Sequence, residues 1–386
     1  PFAVFFGNGY NSSNQTPYLY AVNPQTGAKI AGINLCAAVA STSPTACNTS
    51  LPNGLSSVAI ANSDGLLGSP ITQVYAGDLQ GNLWAGDGSN ASPCTGTGRL
   101  LFQARDSSGN LQPITTAPVV TLNPNYPGKA GNFVMFGTGQ FLTAADLSNT
   151  NTQTAYGVWD TGTTTSYTRS NLQAQTLTLV TPATSGLSQN ILTDTSNTVN
   201  FASKVGWYDD LPTPGQRIMT DPLLLNGNFL ATLNTPPTSA CGVQPQALLM
   251  EINYKTGGAP SQPILDINGN GAFGTYAGGN PAGIAIGPGY ASSPTIIFTG
   301  GTGAGMAGGT KGTSGANTTW TYPGSRGGSY TYTCNAANLC TCSSVAPGFC
   351  PNRGTLYKNV TLSSGAQVTI LNKSGNKNTS SWWQVQ

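Results

Sequence analysis

Apolar residues in this chain come in short runs cut by glycine, asparagine, proline or aspartate. The sharpest run is residues 74–87, VYAGDLQGNLWAGD. Val74, Tyr75 and Ala76 suit an extended backbone, Gly81 and Asn82 tolerate positive φ, and Leu83 and Trp84 begin a returning strand. Asp78 is placed to accept the free N–H groups of the intervening turn. The opening of this unit recurs at residues 4–9 (VFFGNG) and 134–139 (VMFGTG), and more loosely at 296–301 (IIFTGG). Each predicts a short buried strand running into a glycine that another part of the chain approaches closely. A second unit recurs as well. Tyr18 to Val22 runs into Asn23-Pro24-Gln25-Thr26-Gly27, and Leu249 to Asn253 into the matching Asn253-Tyr254-Lys255-Thr256-Gly257. Glycine at the last position of both copies, with proline at the second position of the first, predicts a turn closing a hairpin.

Further strands are predicted at 100–104, 118–122, 153–159, 356–362 and 366–371, with a hairpin around Asn226-Gly227 joining 223–225 to 229–233. Residues 36–70 read as a long polar excursion, 161–196 as alternating strand or a short helix near 171–176, and 257–325 as very glycine-rich, with loops at 257–290 and 300–330. No segment has sustained helical periodicity. The pattern predicts an all-β fold built by radial repetition, close to what repeats of about 45 residues produce in propellers.

Composition sharpens this. The chain has 386 residues, ample for a large core, of which 7% are charged, 50 are glycine and 26 proline. Net charge is +2 with no basic stripe, which argues against a nucleic-acid partner. No run of 18 apolar residues is present, so no membrane span is expected. There are no histidines, which excludes His-dependent triads, His metal sites and imidazole proton shuttles. Cys36, Cys47, Cys94, Cys241, Cys334, Cys340, Cys342 and Cys350 make an even set, expected to form disulfides in an oxidising compartment. Cys340-Thr341-Cys342 is C-x-C with no second matched pair, unlike a zinc site. No leader segment is recognisable before Pro1, so a mature product or part of a longer protein is expected.

The segments VFFGNGYNS (4–12), VYAGDLQGNLW (74–84), FGTGQFL (136–142), YGVWD (156–160), GWYDDLPTPGQRIMTDPLLLNG (206–227), LLMEINYKTGG (248–258) and SSWWQV (380–385) together resemble the C-terminal β-propeller domain of the PilY/PilC family, the type IV pilus tip adhesins. The resemblance implies a modified propeller of about seven four-stranded blades with long disulfide-bearing loop insertions. It implies one domain over 1–386, with a Cys-rich insertion at 327–354, forming the C-terminal part of a longer protein. It further implies a non-enzymatic adhesin and biogenesis factor, exported through the periplasm to the cell surface at the pilus tip. The partners implied are minor pilins and ligands on host-cell or abiotic surfaces.

Calcium is the one cofactor in view. In the family, a loop before the YAGDL strand binds calcium; the matching loop here keeps Asn62 and Asp64, while Ile60 and Gly68 stand where the family has carboxylates. Independently, Asp266-Ile267-Asn268-Gly269-Asn270-Gly271 matches the first half of an EF-hand loop, making Asp266, Asn268 and Asn270 candidate ligands, with Ala277 where the bidentate glutamate belongs. An Asx turn explains either motif without metal. The glycine run from Gly300 to Gly309 lacks the G-K-[ST] of a phosphate loop. Asp209 and Asp210 point to opposite faces of a strand, so they do not share a glycosidase cleft, and a solvated turn before Pro212 is expected. No catalytic residue is assigned. Two other readings stay open: a quinoprotein-like propeller enzyme, suggested by the N-x-x-T-G turns, and a structural subunit repeating along an extracellular fibre.

Overall fold

The structure is a computed structural model describing residues 2–43, 45–65, 69–88, 98–125, 128–182, 187, 189–237, 245–268, 273–299, 310–314, 317–323, 329–334, 340–345, 355–364 and 366–372. Beyond residue 296 the side chains described are those of 358–364, 366–368 and 370. The chain divides into two compact units, one comprising 1–294, 360–368 and 381–386, the other 295–359 and 369–380.

The first unit is a succession of antiparallel sheets. Strands β1 (Val4–Gly7), β2 (Tyr18–Val22) and β3 (Lys29–Asn34) form the first. The second is β4 (Leu55–Ala61), β5 (Gln73–Asp78), β6 (Asn82–Asp87) and β7 (Arg99–Gln103), in that order. The chain then supplies β8 (Val119–Leu122), β9 (Asn132–Gly137), β10 (Thr154–Trp159), β11 (Gln173–Ala174), β12 (Leu177–Val180), β13 (Ile191–Asp194), β14 (Gly206–Asp210), β15 (Leu223–Leu225), β16 (Asn228–Thr235), β17 (Gln246–Asn253) and β18 (Gly283–Pro288). The third sheet has order β11-β14-β10-β9-β8, where β11 joins in parallel, and the fourth has order β12-β13-β18-β17-β16-β15. Strand number thus varies between sheets around the expected four.

Both faces of the middle sheets are buried, which is why their strands read as continuous apolar runs instead of alternating. In β5, Val74 and Ala76 join the cluster of Leu19, Ile33, Leu55 and Trp84, while Tyr75 between them turns to the cluster of Phe102, Val134, Phe136 and Tyr156. In β9 the division repeats: Val134 and Phe136 face Tyr75, whereas Phe133 and Met135 face Trp207, Phe229 and Met250. Each sheet is therefore glued to the next by side chains of one parity. The recurrent strand-end glycines make the contact possible. A Cβ on Gly77 would stand 2.1 Å from Ile114 Cγ2, and one on Gly137 2.4 Å from Ile218 Cβ. The same two isoleucines donate their N–H groups to Asp78 O and Thr138 O at 2.9 and 3.0 Å.

Both recurrent turns form as read. Asn23 Oδ1 accepts from the Gln25 N–H and Asn253 Oδ1 from the Lys255 N–H, and Gly27 and Gly257 take φ of +70° and +73°. Asn226 and Gly227 sit at +50° and +80° between β15 and β16. Four expectations need correction. The excursion at 36–70 contains β4 and follows a single helical turn, α1 (Leu35–Ala38). Of the two readings of 161–196, strand is found at β11, β12 and β13, and in place of a short helix near 171–176 there is a 3-10 turn at Arg169–Asn171 leading into β11. The expected loop at 257–290 contains β18. Strand β1 is not buried, because Val4 and Phe6 expose 47% and 42% of their surface.

The second unit contains β19 (Thr295–Thr299), β20 (Thr310–Ser314), β21 (Asn317–Pro323), β22 (Ser329–Cys334) and β23 (Cys340–Val345). The last four form a meander, in which Cys334 pairs with Cys340 across β22 and β23. The expected cysteine loop is thus partly strand. A separate sheet joins β19 to β24 (Thr355–Thr361) and β25 (Gln367–Asn372).

Candidate cation loops and a buried carboxyl pair

The two sequence-predicted calcium loops are organised by their own turns. After β4, the Ser69 hydroxyl donates to Asp64 Oδ2 at 2.7 Å. In the second loop Ile264, Leu265 and Ile267 are buried, the Leu265 carbonyl accepts from the Gly274 N–H at 3.1 Å, and Asp266 Oδ1 accepts from the Asn268 N–H at 3.3 Å. Asn270 lies outside the described residues. Ala277 has φ of +49° in a turn where Tyr276 and Gly279 exchange both backbone hydrogen bonds at 2.9 Å. The loop position that would carry a bidentate glutamate is thus committed to turning the chain. Each loop has a single carboxylate, few ligands for a hard cation that takes six to eight oxygens. Among the described residues no three of His, Cys, Asp and Glu gather at one place.

The acidic residues of the turns serve the scaffold. Asp78 is fully buried and accepts five N–H donors: Gln80 N at 2.9 Å, Asn82 N at 2.9 Å, Asn82 Nδ2 at 2.9 Å, Trp84 Nε1 at 2.8 Å and Asn53 Nδ2 at 3.3 Å. Burial lifts its carboxyl above the ordinary value, and the Asn82, Trp84 and Asn53 donors oppose that. Asp160 accepts from the Tyr75 hydroxyl at 2.7 Å and pairs with Arg99, tying the second sheet to the third. Buried Arg217 donates to the carbonyls of Gly215, Gln140, Asp146 and Asn149, so one guanidinium shapes the whole 140–149 loop.

The pair Asp209-Asp210 departs from expectation. Both lie on β14, not in a solvated turn. Their side chains do point to opposite faces. Asp210 is bound by Arg169 and by the Thr154 hydroxyl at 2.7 Å, and Arg169 also lies 3.9 Å over the Tyr208 ring. Asp209 is fully buried and faces Asp194, the last residue of β13 in the next sheet. No oxygen of either carboxyl has a hydrogen-bond donor of proper geometry. Burial first, and repulsion between the two second, push Asp209 well above the ordinary carboxylate range; burial pushes Asp194 up as well. Sequence reasoning missed this pair because 14 intervening residues and a change of sheet separate its members.

A family model described as the PilY1 beta-propeller domain matches residues 1–189. The crystal structure of the Pseudomonas aeruginosa PilY1 C-terminal domain superposes with a TM-score of 0.57 at 26% identity, covering 90% of this chain and 69% of that one. The chain belongs to the PilY1 β-propeller family. Its successive sheets, packed face against face in the first unit, are those of a modified propeller. The type IV pilus biogenesis factor PilY1 of Pseudomonas aeruginosa PAO1 is 31% identical over 307 residues, 69% of this chain and 25% of the relative. A PilY1 homolog of Xylella fastidiosa is 31% identical over 284 residues, 70% of this chain and 18% of the relative. The chain therefore spans a quarter or less of the length of these relatives.

One expected disulfide is visible in this PilY1-type propeller. Cys36, in α1, bonds Cys47 with Cα atoms 5.9 Å apart, closing a loop over 11 residues. Cys94, Cys241 and Cys350 lie outside the described residues, as do the side chains of Cys334, Cys340 and Cys342. Among the described residues no helix is long and apolar enough to cross a membrane.

Proposed function

We propose that this chain is the propeller domain of a type IV pilus biogenesis factor, exported through the periplasm and displayed at the pilus tip. It acts by contact, promoting pilus extension and attachment, and not by transforming a substrate. The observation that carries this reading is the structural likeness to the PilY1 C-terminal domain over 90% of the chain. The physics is consistent with it. A scaffold with 7% charged residues, whose acidic turns are consumed internally, leaves its loops free to vary. Segments 36–56, 257–290, 300–330 and 334–354, expected as loops and partly strand in the structure, are the proposed contact regions for minor pilins and for host or abiotic surfaces. In-frame removal of this domain from the full-length protein in its own host is expected to reduce surface pili and attachment together. Unchanged pilus number and attachment would refute the reading. Turnover of alcohols with added pyrroloquinoline quinone would overturn its non-enzymatic part.

Calcium belongs to the same proposal through Asp266, Asn268 and Asn270, and secondarily through Asn62 and Asp64. Calorimetric titration with calcium should give heat in the wild type that is lost in Asp266→Ala or Asp64→Ala. Equal heat in all three, or none in the wild type, removes both loops from the account.

A further inference from the structure

The third and fourth sheets meet along a seam with a polar stripe inside it. Trp207 of β14 donates its indole N–H to the Tyr254 carbonyl at 2.8 Å. Gln175, between β11 and β12, gives its amide N–H groups to the Asn197 and Thr256 carbonyls, both at 2.7 Å. Its Oε1 accepts from the Thr195 hydroxyl at 2.7 Å and the Asn197 N–H at 2.9 Å. Every polar group of that side chain is satisfied. Asp194 and Asp209 beside it are the exception, with four carboxyl oxygens and no donor of proper geometry.

No cation stands among the groups that act most on either carboxyl. Arg99 pairs with Asp160, and Arg169 pairs with Asp210. Arg169 therefore serves the opposite face of β14. The charged group nearest in sequence, Asp210, is itself an anion and adds to the repulsion on Asp209. The backbone N–H groups of Thr176 and Thr195 approach Asp194 and that of Leu177 approaches Asp209, lowering each carboxyl in part but short of hydrogen-bond geometry, and the Thr195 hydroxyl is already given to Gln175. Two ionised carboxylates buried together with no cation are prohibitive. One proton held between them turns the clash into a charge-assisted hydrogen bond across the seam.

We propose that Asp194 and Asp209 share a proton and so clasp the third sheet to the fourth, a clasp that opens as pH rises. The sign follows from linkage. Both groups bind protons more tightly folded than unfolded, so the clasp's stabilisation is fully present below the ordinary carboxylate range and is lost as pH rises through the folded value. The chain has no histidine; a second group near neutrality is Lys358, which burial lowers to about 7 and whose contribution to stability rises with pH, so the clasp is read as the difference between the wild-type and Asp209→Asn slopes.

The test is urea unfolding of the whole chain between pH 5 and 8, followed by tryptophan fluorescence, for wild type, Asp209→Asn and Asp194→Asn. One extra proton bound by the folded state makes the wild-type unfolding constant rise about tenfold per pH unit. Asp209→Asn keeps a donor toward Asp194 but cannot titrate, and should flatten that slope. Infrared spectra of the wild type alone give an independent reading: the carbonyl band of a buried protonated carboxylic acid at pH 6, fading toward pH 9. Parallel wild-type and Asp209→Asn pH profiles, or no protonated band at pH 6, overturn the proposal. So does a wild-type slope abolished by calcium and restored by chelator, which would mean that the pair holds a cation.

Discussion

Replacing Asp78 by alanine tests how far one carboxylate organises this domain. It leaves five N–H donors, from Gln80, Asn82 (twice), Trp84 and Asn53, without their acceptor in a fully buried site. Stranding a buried donor costs about 1–3 kcal/mol. At the low end, with partial relaxation, the five sum to roughly 5 kcal/mol, comparable to the whole stability of a small domain. Asp106 is the internal control. It accepts from Ser108 N, Asn110 N and Asn110 Nδ2, all within its own turn, which water can reach once the turn relaxes. Its replacement by alanine should cost about 1–2 kcal/mol. In urea titrations read by tryptophan fluorescence, Asp78→Ala should unfold in buffer or lose most of its midpoint, while Asp106→Ala shifts it modestly. If Asp78→Ala lies within about 1 kcal/mol of wild type, the turn does not depend on this carboxylate and the reasoning fails.

Gly137→Ala places a Cβ 2.4 Å from Ile218 Cβ and 2.5 Å from its Cδ1 and Cγ2, and should cost about 1–3 kcal/mol; combined with Ile218→Ala, which removes Cδ1 and Cγ2, the two losses should be less than additive, and full additivity would mean that the strain lies elsewhere. Cys36→Ser with Cys47→Ser opens the one observed disulfide and should lower stability by about 3 kcal/mol, a difference from wild type that disappears when both are melted in reductant. Arg217→Lys cannot span the four carbonyls that Arg217 reaches, so proteolysis should speed up at 140–149, with the rest of the domain unaffected. Asp146 has a lowered carboxyl value: its burial is outweighed by donors from Gln140, Thr143 and Leu142. Its contribution is present above the ordinary carboxylate value and lost as pH falls through the lowered one, so the Leu142 and Thr143 amides should lose protection in acid, measured as exchange relative to the unfolded-chain rate at the same pH.

Local chemistry was legible in the sequence wherever a residue and its partners lie within one turn. Asp78 with the Gln80, Asn82 and Trp84 donors of its own turn, the two N-x-x-T-G turns and the Asn226-Gly227 hairpin all follow from neighbours a few positions apart, whereas the Asn53 donor to Asp78 comes from 25 residues away. The strand β4 was hidden because its Leu55, Val58 and Ile60 are diluted by serine and alanine, and only pairing with β5 makes them a strand. The exposure of β1 was hidden for the converse reason, since an apolar run does not say whether a second sheet covers it. Asp209 shows the limit most clearly. Its strand position fixes which face it occupies, yet its character as a buried acid comes from Asp194, which arrives on β13 from a different sheet. Sequence alone determined the all-β fold, its repeating turns and its family. Tertiary structure alone decided which carboxyls meet, because burial and repulsion depend on distances through space that chain spacing does not encode.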